Sequence, residues 1–124
     1  MNFRKHISKN GTTFLAGKSA ENNEELTAQV EKNEDVLHTV APGSPFVNVK
    51  IKTKRGDLDE AAVFCGRYSK DWRENHSDVL VHVFKGKDIY KKKEMATGCF
   101  GVKKIAKLIK VKKEEIERFE TKEK

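Results

Sequence analysis

The sequence predicts an α+β fold: a mixed, largely antiparallel sheet of about six to seven strands with two main helices packed on it. Three observations lead there. Asn10-Gly11 stands between two β-rich segments, and that dipeptide suits a tight hairpin turn because both residues tolerate positive φ. Two stretches, at about residues 20–30 and 57–72, carry apolar residues at helical spacing. The remaining apolar residues fall mostly in short runs rich in Val, Ile and Phe, bounded by Gly, Pro or polar residues. A chain of 124 residues is enough for one domain with a real core and needs no metal or disulfide to hold it.

Phe3 to Ile7 and Thr12 to Leu15 flank the Asn10-Gly11 turn as the first two strands. Ser19 is placed to cap a helix over about 20–30 that aligns Asn23, Leu26 and Val30 on one face. On that inward face, Asn23 reads as an amide satisfying backbone groups of a neighbouring loop. Asp35 to Val40 and Phe46 to Ile51 form a second strand pair around Ala41-Pro42-Gly43-Ser44-Pro45, whose prolines forbid helix. Alternation in the latter strand puts Asn48, Lys50 and Lys52 on a polar face, so this strand is expected to be half buried.

Asp57-Leu58-Asp59-Glu60 resembles a capping box and opens a helix reaching Trp72, with Leu58, Ala61, Ala62, Cys65, Tyr68 and Trp72 at helical spacing. Tyr68 and Trp72 read as core anchors with their polar atoms near the surface. Val79 to Phe84 is apolar on both faces, as in a central strand, and His82 within it reads as a satisfied core histidine. Gly98 to Val102 and Ile105 to Val111 are two short last strands, and the alternation leaves open which face of the second points inward. Residues 113–119 make a closing helical turn or two, after which the tail is expected to fray. Residues 1–113 are thus expected as one domain and 114–124 as a short charged helical tail.

Apolar and charged residues each make up 36% of the chain, so a compact core lies under a heavily charged surface. The distribution of charge is more informative than its net of +7. Residues 1–84 hold 12 Lys/Arg and 12 Asp/Glu, residues 85–113 hold 11 and 2, and residues 114–124 hold 3 and 5. All the excess therefore sits in one stretch, a field that favours a polyanionic partner. Polar and charged residues interrupt every apolar run near the N-terminus, so neither a signal peptide nor a membrane span is expected and the location is read as cytoplasmic. Cys65 and Cys99 share no C-x-x-C frame and are expected as two buried, reduced thiols. The four histidines are dispersed, so no metal or cofactor is expected.

Lys87, Lys91, Lys92 and Lys93 flank Asp88-Ile89-Tyr90 and can follow a phosphate backbone with little sequence preference. Tyr90 is either a surface on which bases stack or a half-buried core tyrosine. At Pro42-Gly43-Ser44, glycine permits close approach of a ligand and serine adds a hydroxyl, although a tight strand connection needs the same residues. His38 and Ser44 have no acid partner or nucleophile turn beside them, so no enzyme is expected. An RNA-binding module ranks first, a protein-docking adaptor second and a hydrolase last, with non-specific DNA binding a variant of the first.

These segments, taken in order, resemble the NFACT-R domain, the RNA-binding module of ribosome-associated quality-control factors. The resemblance runs through Ala16-Gly17-Lys18-Ser19-Ala20 with Asn23, Glu25-Leu26-Thr27, Asp35-Val36-Leu37-His38-Thr39, and Pro42-Gly43-Ser44. It continues with Glu60-Ala61-Ala62, Tyr68-Ser69-Lys70, the Val79 to Val83 strand, Ile89-Tyr90-Lys91-Lys92 and Gly98. It implies binding of tRNA or ribosomal RNA, the large ribosomal subunit as a partner, and a larger protein carrying the domains that 124 residues cannot hold. It also implies that Lys18, His38, Pro42, Gly43, Ser44 and Lys70 join the lysine run in contacting RNA. Leu37 stands where many relatives have an aromatic residue, and Pro45 where histidine is common in bacterial forms.

Overall fold

The computed structural model describes residues 2–123. Gly11 adopts φ +82°, its N–H donating to the Ser8 carbonyl, and the turn aligns β1 (Arg4–Ile7) against β2 (Thr13–Ala16) with Ile7 opposite Thr13. Ser19 then caps α1 (Ala20–Ala28), its hydroxyl accepting the Asn22 N–H at 3.1 Å. β3 (Asp35–Thr39), β4 (Val47–Val49), β5 (Val79–Lys85) and β8 (Lys107–Val111) complete a sheet of order β1-β2-β4-β3-β5-β8 in which every pairing is antiparallel. Between β5 and β8, the short strands β6 (Ile89–Tyr90) and β7 (Gly101–Val102) make a separate two-stranded ribbon. Of the two last strands expected from the sequence, only the second therefore joins the main sheet.

The period-2 alternation of the strands divides the core into two layers. On one face Phe14, Ala16, Leu37, Val47, Val49, Val81 and Val83 pack against α2 (Asp57–Arg67), α3 (Lys70–Asn75) and α4 (Lys113–Lys122). On the other, Val36, Phe46 and Phe84 meet Leu26 of α1 and the Ile89, Phe100 and Val102 side chains of the ribbon. Register decides the face that the sequence left open: Ile109 and Val111 lie opposite Val81 and Val79 and join the helix side, while Leu108 lies opposite His82 on the other. Among the described residues no helix is long and apolar enough to cross a membrane.

Four local expectations are corrected. The strand expected to be half buried over Phe46 to Ile51 is shorter, leaving Ile51 86% exposed, and its Val47–Val49 core is buried on both faces because α1 covers the polar side of Asn48: Gln29 Nε2 donates to its Oδ1 at 3.0 Å, and its own amide donates to the Asp35 carbonyl. The helix expected to reach Trp72 breaks at Tyr68-Ser69, where the Ser69 hydroxyl accepts the Trp72 N–H at 3.2 Å and starts α3 afresh. No side-chain cap opens α2. Instead, Asp57 accepts from Thr12 Oγ1 at 2.6 Å, from the Lys54 N–H at 2.8 Å and from Asn10 Nδ2 at 3.1 Å. Glu60 takes His6 Nε2 at 2.9 Å, so both carboxylates tie the first hairpin to α2. Finally, the closing helix extends to Lys122 with Ile116 fully buried, and Glu120 and Glu123 hold Trp72 Nε1, Arg67 Nε and the Tyr68 hydroxyl.

Cys65 is buried against Ser44, and burial pushes its thiol up to about 12. Cys99 is exposed, contrary to the expectation of two buried thiols. Iodoacetamide at neutral pH is therefore expected to add one label to the native protein, on Cys99, and a second only after unfolding, as read by mass spectrometry.

Candidate nucleic-acid interface

Several elements converge at one end of the sheet: the end of β2, the first turn of α1, the end of β3 with its loop to β4, and the segment returning from β6 to β7. They enclose a groove of about 640 Å³. The cross-strand neighbours His38 and His82 line it together with Phe46, Phe84 and Phe100. The His38 ring lies 4.6 Å from Phe46, and Phe100 meets Phe46 edge-on at 5.5 Å. Lys18, Arg73 and Arg4 add positive charge, and among the described residues no Asp or Glu lines the groove. Such a concavity attracts an anion and offers its flat parts an aromatic surface.

Burial is the main influence on His38 and holds its pKa below the ordinary value, with His82 adding to that and the Thr39 carbonyl opposing it. His38 Nδ1 lies 2.7 Å from the Thr39 oxygen, which can only accept. Nδ1 therefore carries the proton of the neutral ring, and Nε2 remains an acceptor. His82 is half-buried in the groove rather than the satisfied core histidine expected. Arg4 lays its guanidinium 3.8 Å from the centre of the Tyr68 ring, and its Nε is buried without a hydrogen-bond partner. Arg73 is exposed and anchored through Nη1 to the Tyr68 carbonyl at 3.2 Å.

Loop 40–46 is built against its neighbours. Gly43 has φ +88°, and its carbonyl accepts the Lys70 N–H at 2.8 Å. A Cβ at 43 would stand 2.8 Å from Lys70 Cβ. Gly43→Ala is expected to cost about 1–2 kcal/mol from the left-handed backbone alone and to lower the melting temperature measured by circular dichroism. Ser44 is buried, its hydroxyl accepting the Thr39 N–H and donating to the Pro45 carbonyl, so it holds the loop and does not project from it. Asn23 accepts the Phe46 N–H at 3.2 Å, the loop-satisfying role expected of it, and a Cβ on Gly17 would stand 1.9 Å from that same amide oxygen.

The sequence candidates thus fall into two groups. Lys18, His38, Pro42, Gly43 and Ser44 line the groove, with Lys70 beside Gly43. Lys87, Tyr90, Lys91, Lys92 and Lys93 do not. Lys87 sits at the far end of α1, where its N–H bonds the Lys32 carbonyl. The Tyr90 ring packs where a Cβ on Gly101 would stand, the half-buried alternative of its two readings. Lys91 is a staple: its ammonium binds Glu24 at 2.8 Å and the Cys99 carbonyl at 2.7 Å, pinning segment 91–100 along α1. The Lys91 hydrogen bond, followed by that from the Gly98 N–H, holds the Glu24 carboxyl below its ordinary value. Lys92, Lys93, Lys103, Lys104 and Lys107 are exposed and have no carboxylate partner among the described residues. Arg4, Arg73 and Phe100 carry no sequence signal for the groove, and His82 reads in the sequence only as a core histidine, because each reaches the groove from a different element. Among the described residues no cluster of His, Cys, Asp or Glu is placed to hold a metal.

An antiparallel α+β domain with a cationic, aromatic-lined groove and a separate surface of free lysines has the makings of a nucleic-acid-binding module. Residues 2–104 match the family model described as the NFACT protein RNA binding domain, and the chain belongs to that family. No curated protein matches the sequence. Among solved structures, the chain is similar to the C-terminal part of the fibronectin/fibrinogen-binding protein from Streptococcus suis, with a TM-score of 0.81 and 21% identity over 95% of this chain and 49% of that one. The fold is therefore shared, and this chain spans about half the length of that structure.

Proposed function

We propose that this chain binds tRNA or ribosomal RNA and acts, without catalysis, in ribosome-associated quality control of stalled nascent chains in the cytoplasm. The observation that carries the reading is the pairing of a carboxylate-free groove with the exposed lysines of 85–113 on a domain of the NFACT RNA-binding family. Counterion release from such a surface supports affinity for any phosphate backbone, and shaped concavities distinguish RNA folds. The large ribosomal subunit, and a larger protein bearing the family's other domains, are the partners this role calls for. The test is fluorescence anisotropy with labelled tRNA over a range of salt, alongside cosedimentation with ribosomes. Salt-sensitive binding supports the reading, and no binding to tRNA or ribosomes overturns it.

One observation favours a protein-docking role as a second reading. Val40, Leu80, Ile105 and Leu108 are all exposed near the β3-β5-β8 end of the sheet, with Leu108 at 55%. A salt-tolerant protein partner recovered in place of RNA would bring that reading forward.

A further inference from the structure

We propose that the groove seats an unpaired nucleotide of the bound RNA, its base inside against His38, His82 and Phe100 and its phosphate toward the Lys18 and Arg73 rim, an inference that rests on the RNA-binding reading above.

Shape argues for this first. Tracking the backbone of a duplex needs only convex cations, and Lys92, Lys93, Lys103 and Lys104 provide those outside the groove. The groove is something else: its volume of about 640 Å³ lies in the range of small-ligand sites, roughly 300–1,000 Å³. A base held in a stack cannot enter such a space, whereas a base splayed from a loop or a chain end can. Polarity agrees with shape. The floor is imidazole and phenyl, on which any base can lie, and the unpartnered His38 Nε2 is an acceptor for the amino or imino N–H of a base. The charged groups of the lining are Arg4, Lys18 and Arg73, all cationic, which matches a single phosphate at the mouth.

The molecule carries its own reporter for this site. Cys99 is exposed in the groove wall, while Cys65 is buried and silent to alkylating agents. The experiment uses the unaltered protein and two RNA hairpins with the same stem, one blunt and one with a short unpaired 3′ extension. Affinity is measured by anisotropy, and the rate of Cys99 alkylation is followed at saturating RNA. The extended hairpin is expected to bind roughly tenfold more tightly, the usual size of a base-stacking contribution, and to slow Cys99 alkylation several-fold, with the blunt hairpin giving little protection. Equal affinities, or tighter binding of the extended hairpin with Cys99 still labelled at its free rate, overturn the proposal and leave the RNA-binding reading standing. Failure of both hairpins to bind removes the RNA-binding reading itself.

Discussion

Replacing Asp57 with alanine is expected to remove about 2–5 kcal/mol of stability, a large share of the roughly 5–15 kcal/mol available to a domain of this size. Its carboxylate is fully buried and is the common acceptor for the Thr12 hydroxyl just ahead of β2, an amide of the hairpin turn and the backbone entering α2. Without it, the Thr12 hydroxyl and the Lys54 N–H remain inside with no partner. Urea unfolding should show a lower midpoint at unchanged m. Acidity gives an internal check. Burial pushes the Asp57 carboxyl up, but the hydrogen bonds from Thr12, Lys54 and Asn10 together outweigh it, so the folded-state value lies below the ordinary one. The stabilisation is then fully present above the unfolded-state pKa of about 3.9 and is lost as pH falls through the lower folded value. The gap between the wild type and Asp57→Ala should narrow only below about pH 4. A gap that closed at neutral pH would mean the carboxylate is not held as described.

The second large effect concerns affinity for tRNA. Lys18 and Arg73 are exposed at the groove and make no ion pair with a carboxylate among the described residues, so each can neutralise a phosphate. Replacing both with alanine should flatten the slope of log K against log salt by roughly 1.4–1.8, at about 0.7–0.9 per contact. Melting temperature should hardly move, since neither side chain is buried. The triple change Lys91→Ala, Lys92→Ala, Lys93→Ala makes an instructive contrast. Lys92 and Lys93 are free, whereas Lys91 already neutralises Glu24, so this variant should lose the slope of at most two contacts and also release segment 91–100 from α1. An unchanged slope in the Lys18/Arg73 variant would take the groove out of the interface.

Much of the architecture was legible because local chemistry determined it. Asn10-Gly11 fixed the first hairpin, Ser19 fixed the start of α1, and the prolines around Gly43 fixed the loop at the groove. What local chemistry could not determine was which strands become neighbours. The cross-strand meeting of His38 with His82, separated by 44 positions, depends on β5 pairing with β3, and no periodicity encodes that. Asp57 was misread for a related reason: a carboxylate at a helix start is ordinarily a cap, but here the hairpin turn lies close enough to claim it. Two signals were present and underweighted. Ser69 is a cap residue within an apparently continuous helix, and Ile116 and Phe119 have the spacing of a buried helical stripe in a segment read only as a closing turn or two.

The seating of α4 bears on how the chain is made. Ile116 is buried in the helix-side core, and the Phe119 ring lies tilted at 5.2 Å from the His6 ring and 6.0 Å from that of Phe64, so β1, α2 and α4 close the same layer. During synthesis the first hairpin and α2 emerge long before that cover exists. A nascent chain stopped short of α4 presents Phe64 and its neighbours to water, in the kind of half-built surface that chaperones and proteases recognise.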